Sequence, residues 1–327
     1  MKQLSTERIG VLLLNLGGPD RLQDVEAFLY NLFSDRQIIR LSPFPFLQKP
    51  LARFIANRRA PKSRKAYKLI GGGSPLKKIT SEQGDALEIL LGRVASFRVD
   101  MAMRYWYPTS EEVLSEFGQH GITKIVALTL YPHYSLATTG SSLIDLEKAA
   151  ARLPYNFDIT GVESWPDQQE YVNCLVRSIR REVGKIAGQP TVVYSAHSLP
   201  VKFIEEGDPY LDDLAKTITA IEEQTGIRGR LCFQSRSGPV EWLAPSTPDT
   251  LAKLAEQGVK DVVMVPISFV SDHVETLYEI DIQYRELATD LGMRLYRTES
   301  LNVEPEFIRG MAKLVIQASY DKDWLNG

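Results

Sequence analysis

The stretch Asp261-Val-Val-Met-Val-Pro-Ile-Ser-Phe-Val-Ser-Asp-His-Val-Glu275 joins an apolar run to a polar, acidic segment. Its first six residues are mostly β-branched and apolar, which is typical of a strand buried on both faces. The residues after this run lead into a helical pattern over 274–291. A buried strand followed by an amphipathic helix is the repeating unit of a parallel α/β sheet.

Similar strand-and-helix units recur along the chain. Four strand-like runs precede residue 164 and four follow it, with Trp165-Pro166 as a natural linker. We therefore predict an α/β fold of two similar doubly wound lobes, each with a roughly four-stranded parallel sheet flanked by helices. The predicted strands are 9–14, 97–103, 124–130, 157–162, 191–194, 230–233, 261–266 and 293–296. The predicted helices are 22–33, 82–93, 111–119, 141–152, 168–186, 211–224, 248–257, 274–291 and 304–318, of which the last fits either lobe.

The composition is that of an ordinary globular protein. The 327 residues include 44% hydrophobic and 24% charged side chains, and the net charge is −3. These values exclude extended disorder and give no reason to expect a nucleic-acid partner. No apolar run approaches the roughly 18 residues of a membrane span. The two cysteines, Cys174 and Cys232, form no CxxC pair, so we expect a cytoplasmic protein of a reducing compartment.

Positive charge is concentrated in one segment. Residues 36–81 contain twelve Lys or Arg and no Asp or Glu, and the segment includes the apolar run Leu41-Ser-Pro-Phe-Pro-Phe-Leu47. Apolar side chains beside cations are typical of an element that lies on an anionic membrane surface or covers a largely apolar substrate with anionic groups. The alternative is a solvated basic face on an ordinary helix, with Phe54 and Ile55 in the core.

Residues that follow the predicted strands are the first candidates for a ligand site, because open parallel sheets bind ligands at the carboxyl ends of their strands. His197 follows such a strand in the turn Ser195-Ala-His-Ser-Leu-Pro200, either as a ligand or base or as a packed turn residue. The chain lacks a P-loop, a GxGxxG fingerprint, a GxSxG elbow and an HExxH zinc motif. Nucleotide binding, serine hydrolysis and zinc proteolysis are therefore disfavoured.

A row of acidic residues follows the strand-like run 261–266. If a helix begins near His273, Glu275 and Glu279 lie on one face at positions i and i+4, with Asp272 and Asp281 nearby. Like charges so close repel each other, so a functional row must bind a cation or share protons. The alternative is a solvated acidic helix face. One imidazole facing one carboxylate suits a transition metal that is held loosely and passed on.

Several segments, in the same order along the chain, resemble the ferrochelatase family, whose members insert ferrous iron into a porphyrin in haem synthesis. They are Leu14-Asn-Leu-Gly-Gly-Pro-Asp20, residues 67–75, Tyr131-Pro-His-Tyr-Ser-Leu-Ala-Thr-Thr-Gly-Ser-Ser-Leu143, residues 195–200, residues 234–239 and residues 265–281. The resemblance implies two α/β lobes that flank a porphyrin cleft, with the C-terminal helix packed on the first lobe. The N-terminal lobe is then expected to comprise residues 1–163 and about 303–327 and to carry a lip over the porphyrin. Residues 164–302 are expected to form the C-terminal lobe, with the His/Glu metal site.

The resemblance also implies roles for individual residues. His197 and Glu275 match the family's active-site pair, which binds iron, abstracts protons from the pyrrole nitrogens, or does both. Asp272 and Glu279 match an acidic path for metal or protons. In the opposite wall, Arg104 and Tyr105 match positions near which the metal is thought to enter, and the side from which iron arrives stays open.

Contacts with the porphyrin are expected from four further positions. Leu16, Ser135 and Trp242 match porphyrin-facing positions of the family. Residues 43–59 match the lip, in which Arg53 or a neighbouring cation is expected to meet the propionates. Peripheral membrane contact through residues 41–60 is a further expectation.

The porphyrin substrate is the last expectation. Leu16 stands where members that use coproporphyrin III commonly have Tyr, so the resemblance favours protoporphyrin IX and protohaem as product. Coproporphyrin III ferrochelatase and a non-catalytic tetrapyrrole or metal carrier are the alternatives. Ferrous iron is a substrate, no tightly bound cofactor is expected, and no cysteine after Cys232 could ligate an iron–sulfur cluster. The oligomeric state is left open.

Overall fold

A computed structural model describes residues 8–236 and 238–325. The chain folds into two compact units. One unit comprises the residues up to Ser164 together with those from Ile308 onward, and the other is Trp165–Phe307. The helix Pro305–Asp321 therefore belongs for the most part to the first unit.

The first unit is built on a parallel sheet of four strands in its described residues, in the order β2-β1-β3-β4. These strands are β1 (Ile9–Asn15), β2 (Phe97–Met103), β3 (Lys124–Thr129) and β4 (Asp158–Val162). All seven residues of β1 are buried, as expected for a central strand covered on both faces. On one face, Leu12 and Leu14 pack with Leu114, Phe117 and Leu146 from the neighbouring helices.

The second unit repeats this arrangement, with a described parallel sheet in the order β6-β5-β7-β8. Its strands are β5 (Thr191–His197), β6 (Gly229–Gln234), β7 (Asp261–Pro266) and β8 (Arg294–Arg297). Val193, Val262 and Met264 are fully buried and pack with Leu251 and Ile280. The predicted α/β fold with two similar parallel sheets is confirmed, and the predicted strands are found within a few residues of their expected bounds.

Helices flank both sheets. The α-helices of the described residues are α1 (Val25–Ser34), α2 (Gln48–Leu69), α3 (Leu76–Leu91), α4 (Ser110–Gln119), α5 (Ser141–Ala150), α6 (Gln169–Gly184), α7 (Val201–Glu205), α8 (Tyr210–Thr225), α9 (Thr247–Glu256), α10 (Arg285–Asp290) and α11 (Pro305–Asp321). The expectation of one regular helix over 274–291 is wrong: Glu275–Tyr284 is a π-helix that continues into α10. A second π-helix, Leu136–Gly140, leads into α5. Such wide turns are rare and occur frequently at functional sites.

Helix α2 carries much of the basic segment. Ala52, Ala56 and Ala60 recur every four residues and are buried, on a helix that packs against α1. Phe54 lies outside this stripe and is 66% exposed, so the alternative that placed Phe54 in the core is wrong. Within residues 8–236 and 238–325, no helix is both long enough and apolar enough to cross a membrane.

Candidate active site

His197 is the last residue of β5, at the carboxyl end of the second sheet. Its Nδ1 lies 2.6 Å from the carbonyl oxygen of Ser198. Because a carbonyl can only accept a hydrogen bond, Nδ1 carries the hydrogen and Nε2 keeps its lone pair in the neutral ring. The hydroxyl of Tyr210 donates to the carbonyl of His197 over 3.0 Å and fixes the backbone at this position.

Glu275, the first residue of the π-helix, faces this lone pair. Its Oε1 lies 3.7 Å from Nε2 of His197, and its side chain is only 16% exposed. The structure therefore brings together the two residues expected to form the catalytic pair. Both atoms are available as metal ligands, and the imidazole nitrogen can also act as a base.

A second imidazole, which the sequence did not assign to the site, lies on the other side of Glu275. Nε2 of His273 is 3.9 Å from Oε2 of Glu275, and its Nδ1 lies 3.1 Å from the carbonyl of Ser271. The ring packs against that of Phe269 in a tilted arrangement, with 4.4 Å between the ring centroids. Glu275 therefore lies between two imidazoles, and the Asp-His-Val-Glu spacing at residues 272–275 was the available signal.

Ser235 links the two glutamates of the π-helix. Its Oγ lies 3.1 Å from Oε2 of Glu275 and 2.6 Å from Oε2 of Glu279, so its single O–H proton can be donated to either carboxylate. The backbone of Ser235 has a φ of 66°, which non-glycine residues adopt rarely and mostly where structure imposes it. The amide of Gln234 donates to the same oxygen of Glu279 over 3.3 Å. The sequence analysis gave neither residue a role in the site, although both belong to the segment 234–239 that follows the predicted strand 230–233.

The environment separates the pKa values of the two glutamates. Burial alone would raise the pKa of Glu275, but His197, His273 and the Ser235 hydroxyl outweigh it and hold this pKa well below its ordinary range. Burial and the negative charge of Glu275 raise the pKa of Glu279 to about 7. Two carboxylates with pKa values pushed apart in this way can take different roles in proton transfer.

Asp272 lies in a different network from the one expected. Its carboxylate accepts hydrogen bonds from the side chains of Arg297, Ser300, Asn302 and Thr276 at 2.8–3.1 Å. Burial alone would raise its pKa, but Arg297 and these donors lower it. The acidic row of the sequence is therefore split in space, and the role of Asp272 in a metal or proton path stays a prediction.

Arg104 and Tyr105 follow β2 in the first unit and share one carboxylate. The guanidinium of Arg104 is 2.6 Å from Oδ2 of Asp35, and the hydroxyl of Tyr105 donates to the same oxygen over 2.9 Å. Arg104 also pairs with Asp145 at 3.3 Å. Both predicted residues line a cavity of about 340 Å³. Asp35, which organises the cluster, was not identified from the sequence.

The remaining predicted porphyrin contacts lie at different places in the two units. Leu16 is half-buried directly after β1, and buried Ser135 caps the π-helix Leu136–Gly140 by accepting from the N–H of Ala137 over 3.1 Å. Arg53 is exposed on α2, with its guanidinium 4.6 Å from the centroid of the Tyr30 ring. These residues belong to the first unit. Trp242 belongs to the second unit, where it is half-buried and forms an isolated antiparallel β-bridge with Pro200.

Metal-binding side chains do not form a closed cage here. Among residues 8–236 and 238–325, no group of three or more His, Cys, Asp or Glu side chains is placed to hold a metal ion. Both cysteines are buried and free, and burial raises the pKa of each thiol to about 11. At neutral pH these thiols stay protonated, and a thiol in that state is a poor metal ligand.

Comparison with solved structures supports the fold. SirB from Bacillus subtilis, solved with Fe3+, matches with a TM-score of 0.58 and 13% identity over 97% of this chain and 98% of its own. CbiX, described as the terminal enzyme for biosynthesis of sirohaem in denitrifying bacteria, matches with a TM-score of 0.52 and 11% identity over 94% of this chain and 99% of its own. At these identities the likeness shows a shared fold and no more.

Comparison with known sequences identifies the family. The ferrochelatase family model matches residues 8–319. The ferrochelatase of Desulfotalea psychrophila is 55% identical over 96% of this chain and 98% of its own length. Those of Geotalea uraniireducens and Arabidopsis thaliana (ferrochelatase-1, chloroplastic/mitochondrial) are 47% and 44% identical over 94% and 96% of this chain, and 97% and 70% of their own lengths. With this match and the paired His197 and Glu275, the chain belongs to the ferrochelatase family, enzymes that insert iron into a porphyrin for haem synthesis.

Proposed function

We propose that this protein inserts ferrous iron into protoporphyrin IX to give protohaem, with release of two protons, as the last step of haem synthesis. The observation that carries this proposal is the 3.7 Å separation between Nε2 of His197 and Oε1 of Glu275, with Glu279 connected to the same carboxylate through Ser235. The family membership supplies the reaction class, and these side chains supply its chemistry.

Proton removal is the first task of the site. Neutral His197 holds its hydrogen on Nδ1, so the lone pair on Nε2 accepts a pyrrole proton. The negative charge of Glu275 stabilises the imidazolium that forms. Glu279, with a pKa raised to about 7, exchanges protons near neutral pH and is connected to Glu275 through the Ser235 hydroxyl. This order of groups provides a route for protons to leave the porphyrin nitrogens.

Iron delivery is the second task, and it uses His197 only while Nε2 carries no proton, because a protonated nitrogen has no lone pair for a metal. A first-row metal ion about 2.1 Å from each of two ligand atoms holds those atoms roughly 3–4 Å apart. The separation of His197 Nε2 and Glu275 Oε1 falls in that range. One nitrogen and one carboxylate oxygen bind a ferrous ion less firmly than a closed four-ligand site does, so the ion can be passed to the four nitrogens of the macrocycle.

The choice of protoporphyrin IX is supported by apolar residues of the first unit. Leu16 offers no hydroxyl to a further propionate, and Phe44, Phe46 and Phe54 offer an apolar surface beside the cation Arg53. Protoporphyrin IX carries fewer carboxylates than coproporphyrin III, so apolar contacts contribute more of its binding free energy.

The same exposed aromatic residues support peripheral membrane contact. Phe44, Phe46 and Phe54 are 59%, 73% and 66% exposed. Exposed Lys49 and Arg53 lie in the same segment. Aromatic side chains enter the lipid interface while neighbouring cations attract anionic headgroups. The enzyme would then act at the cytoplasmic face of a membrane, where an apolar porphyrin partitions into the lipid.

The proposed reaction uses no resident cofactor. Fe–S clusters of the common types require four thiolate ligands, and this chain contains two cysteines, both buried as protonated thiols. Iron enters as a substrate and leaves as part of the product.

The proposal is tested by anaerobic incubation of the purified protein with Fe(II) or Zn(II) and each porphyrin, followed by absorbance. We expect catalytic formation of the metalloporphyrin, with a higher initial rate on protoporphyrin IX than on coproporphyrin III. Faster turnover of coproporphyrin III would contradict the substrate assignment. Stoichiometric porphyrin binding without metallation would instead indicate a carrier.

A further inference from the structure

Arg297, at the end of β8, connects the two flanks of the segment that carries the catalytic glutamates. Its Nε and Nη2 bind the two carboxylate oxygens of Asp281 at 3.0 and 2.8 Å. Its Nη1 binds Oδ1 of Asp272 at 3.1 Å. Asp272 precedes the π-helix and Asp281 lies within it, so Glu275 and Glu279 stand between the two residues that Arg297 holds.

The residues after Arg297 strengthen the connection on the Asp272 side. The side chains of Ser300 and Asn302 donate to the carboxylate of Asp272 at 2.8 and 2.9 Å, and the backbone N–H of Asp272 donates to Oδ1 of Asn302. We call Arg297, Asp272 and Asp281 the arginine clamp. Its side chains are only 10%, 19% and 21% exposed, so its hydrogen bonds are largely shielded from water.

The π-helix needs such support. A π-helix is rare because its hydrogen bonds, between residues i and i+5, require a turn that is wider and less favourable than that of an α-helix. It therefore persists where the surrounding structure imposes it. In this segment the wide turn directs Glu275 and Glu279 to the same hydroxyl of Ser235. In an α-helical register the two glutamates would still share a face at positions i and i+4, but the segment would be rotated relative to Ser235 and His197.

We propose that Arg297 is a positioning residue for metal insertion, which holds the π-helix in the register that directs Glu275 and Glu279 to one proton and metal site. The inference rests on the proposed function, since it assigns the clamp to the geometry of that site. Arg297 makes no contact with the two glutamates among its described hydrogen bonds and acts through Asp272 and Asp281.

The test replaces Arg297 by Lys and uses a matched substitution as control. A lysine ammonium cannot bind both oxygens of Asp281 and also reach Asp272 in the planar geometry of a guanidinium. Arg294, at the other end of β8, makes a similar bidentate pair but is 68% exposed, and its partner Asp261 begins β7 and does not belong to the π-helix. Arg294→Lys therefore removes the same kind of contact from the same strand without touching the clamp.

For Arg297→Lys we expect the KM for Zn(II) to rise and kcat to fall. Together these changes should lower kcat/KM for the metal about tenfold or more, because small misplacements of reacting groups are costly. The KM for the porphyrin should change less than about twofold, and Arg294→Lys should leave both constants unchanged within that margin. Zn(II) binding without porphyrin, measured by calorimetry, should weaken in Arg297→Lys and stay unchanged in Arg294→Lys. Asp281→Asn, which keeps the size of the side chain, should show the same pattern if the Lys variant folds poorly.

Three results would overturn the inference. The first is an unchanged metal KM and Zn(II) affinity in Arg297→Lys and Asp281→Asn. The second is a loss of activity that a lower thermal midpoint, and hence a smaller folded fraction at the assay temperature, accounts for completely. The third is an equal loss in Arg294→Lys. A wild-type protein that binds Zn(II) but makes no metalloporphyrin would contradict the proposed function instead, and the calorimetric comparison would still decide the role of the clamp.

Discussion

Nε2 of His197 and Oε1 of Glu275 lie 3.7 Å apart, one at the end of β5 and the other at the start of the π-helix. The distance is too long for a direct hydrogen bond and fits two ligands of one metal ion. The hydrogen on Nδ1 of His197 is held by a backbone carbonyl, so the atom that faces Glu275 is the basic one. This relationship is the basis of the predictions for the active site.

Replacing His197 by Ala should abolish metal insertion and leave the fold intact. The side chain is partly exposed, so its loss creates no closed cavity, whereas the pyrrole protons lose their acceptor. Initial rates and a thermal melt would be measured beside His120→Ala, in which an exposed histidine after α4 is lost. Near-normal turnover in the His197 variant would exclude its assignment.

Replacing Glu275 by Gln should lower the rate at least about tenfold, because a neutral amide neither stabilises an imidazolium nor binds iron as a carboxylate does. The substitution keeps the shape of the side chain, so Ser235 keeps an acceptor on this residue. Steady-state rates with Fe(II) and Zn(II) provide the measurement. A wild-type rate would remove Glu275 from the mechanism.

Replacing Glu279 by Gln should have a smaller effect, mainly on the dependence of the rate on metal concentration. The raised pKa of Glu279 means that it is partly protonated near neutral pH, so an amide imitates one of its two states. The Ser235 hydroxyl and the Gln234 amide still find an oxygen there. If the metal response stays that of the wild type, the acidic path through Glu279 is contradicted.

Aromatic residues 44, 46 and 54 should bind the protein to anionic vesicles. Burial of one exposed Phe side chain contributes about 1.5–3 kcal/mol at most, so the change Phe46→Ser should weaken vesicle binding about tenfold. Ile89→Ser, on α3 outside the basic segment, is the matched control because Ile89 is 67% exposed. Equal sedimentation of both variants with the vesicles would argue against membrane contact through this segment.

The strands could be predicted from the sequence because buried parallel strands require continuous apolar runs, which few other structures need. Asp261–Pro266 and Phe97–Met103 were predicted with the bounds that the structure has. Helix α2 was not among the predicted helices, since its charged residues and internal Pro61 hide the buried alanine stripe. A stripe of small residues gives only a weak periodic signal.

The site was predicted in part. His197 and Glu275 follow from strand ends and family resemblance, but the π-helix does not, because an apolar pattern of ten residues does not separate a wide turn from an α-helical one. Asp272 was grouped with the glutamates by its position in the chain and by family resemblance, whereas in the folded protein its carboxylate pairs with Arg297. Ion pairs between residues so far apart in sequence leave no local pattern.

The pairing of Asp272 with Arg297 predicts how stability depends on pH. The pKa of Asp272 is lower in the folded protein than in the unfolded chain, so its contribution to stability is present above the unfolded pKa of about 4 and is lost as the pH falls through the folded value. Asp272→Asn should therefore reduce the free energy of unfolding by roughly 1.5–3 kcal/mol at pH 7, and by less as the pH falls below about 4. Urea denaturation at pH 7 and at a pH below about 4 would measure the difference in unfolding free energy between wild type and Asp272→Asn under each condition. Asp158→Asn is the control, because it removes an exposed ion pair with Lys322 and should cost under about 1 kcal/mol. A cost for Asp272→Asn that is the same at both pH values would contradict the prediction, because it would show that the stabilisation does not depend on the ionised carboxylate.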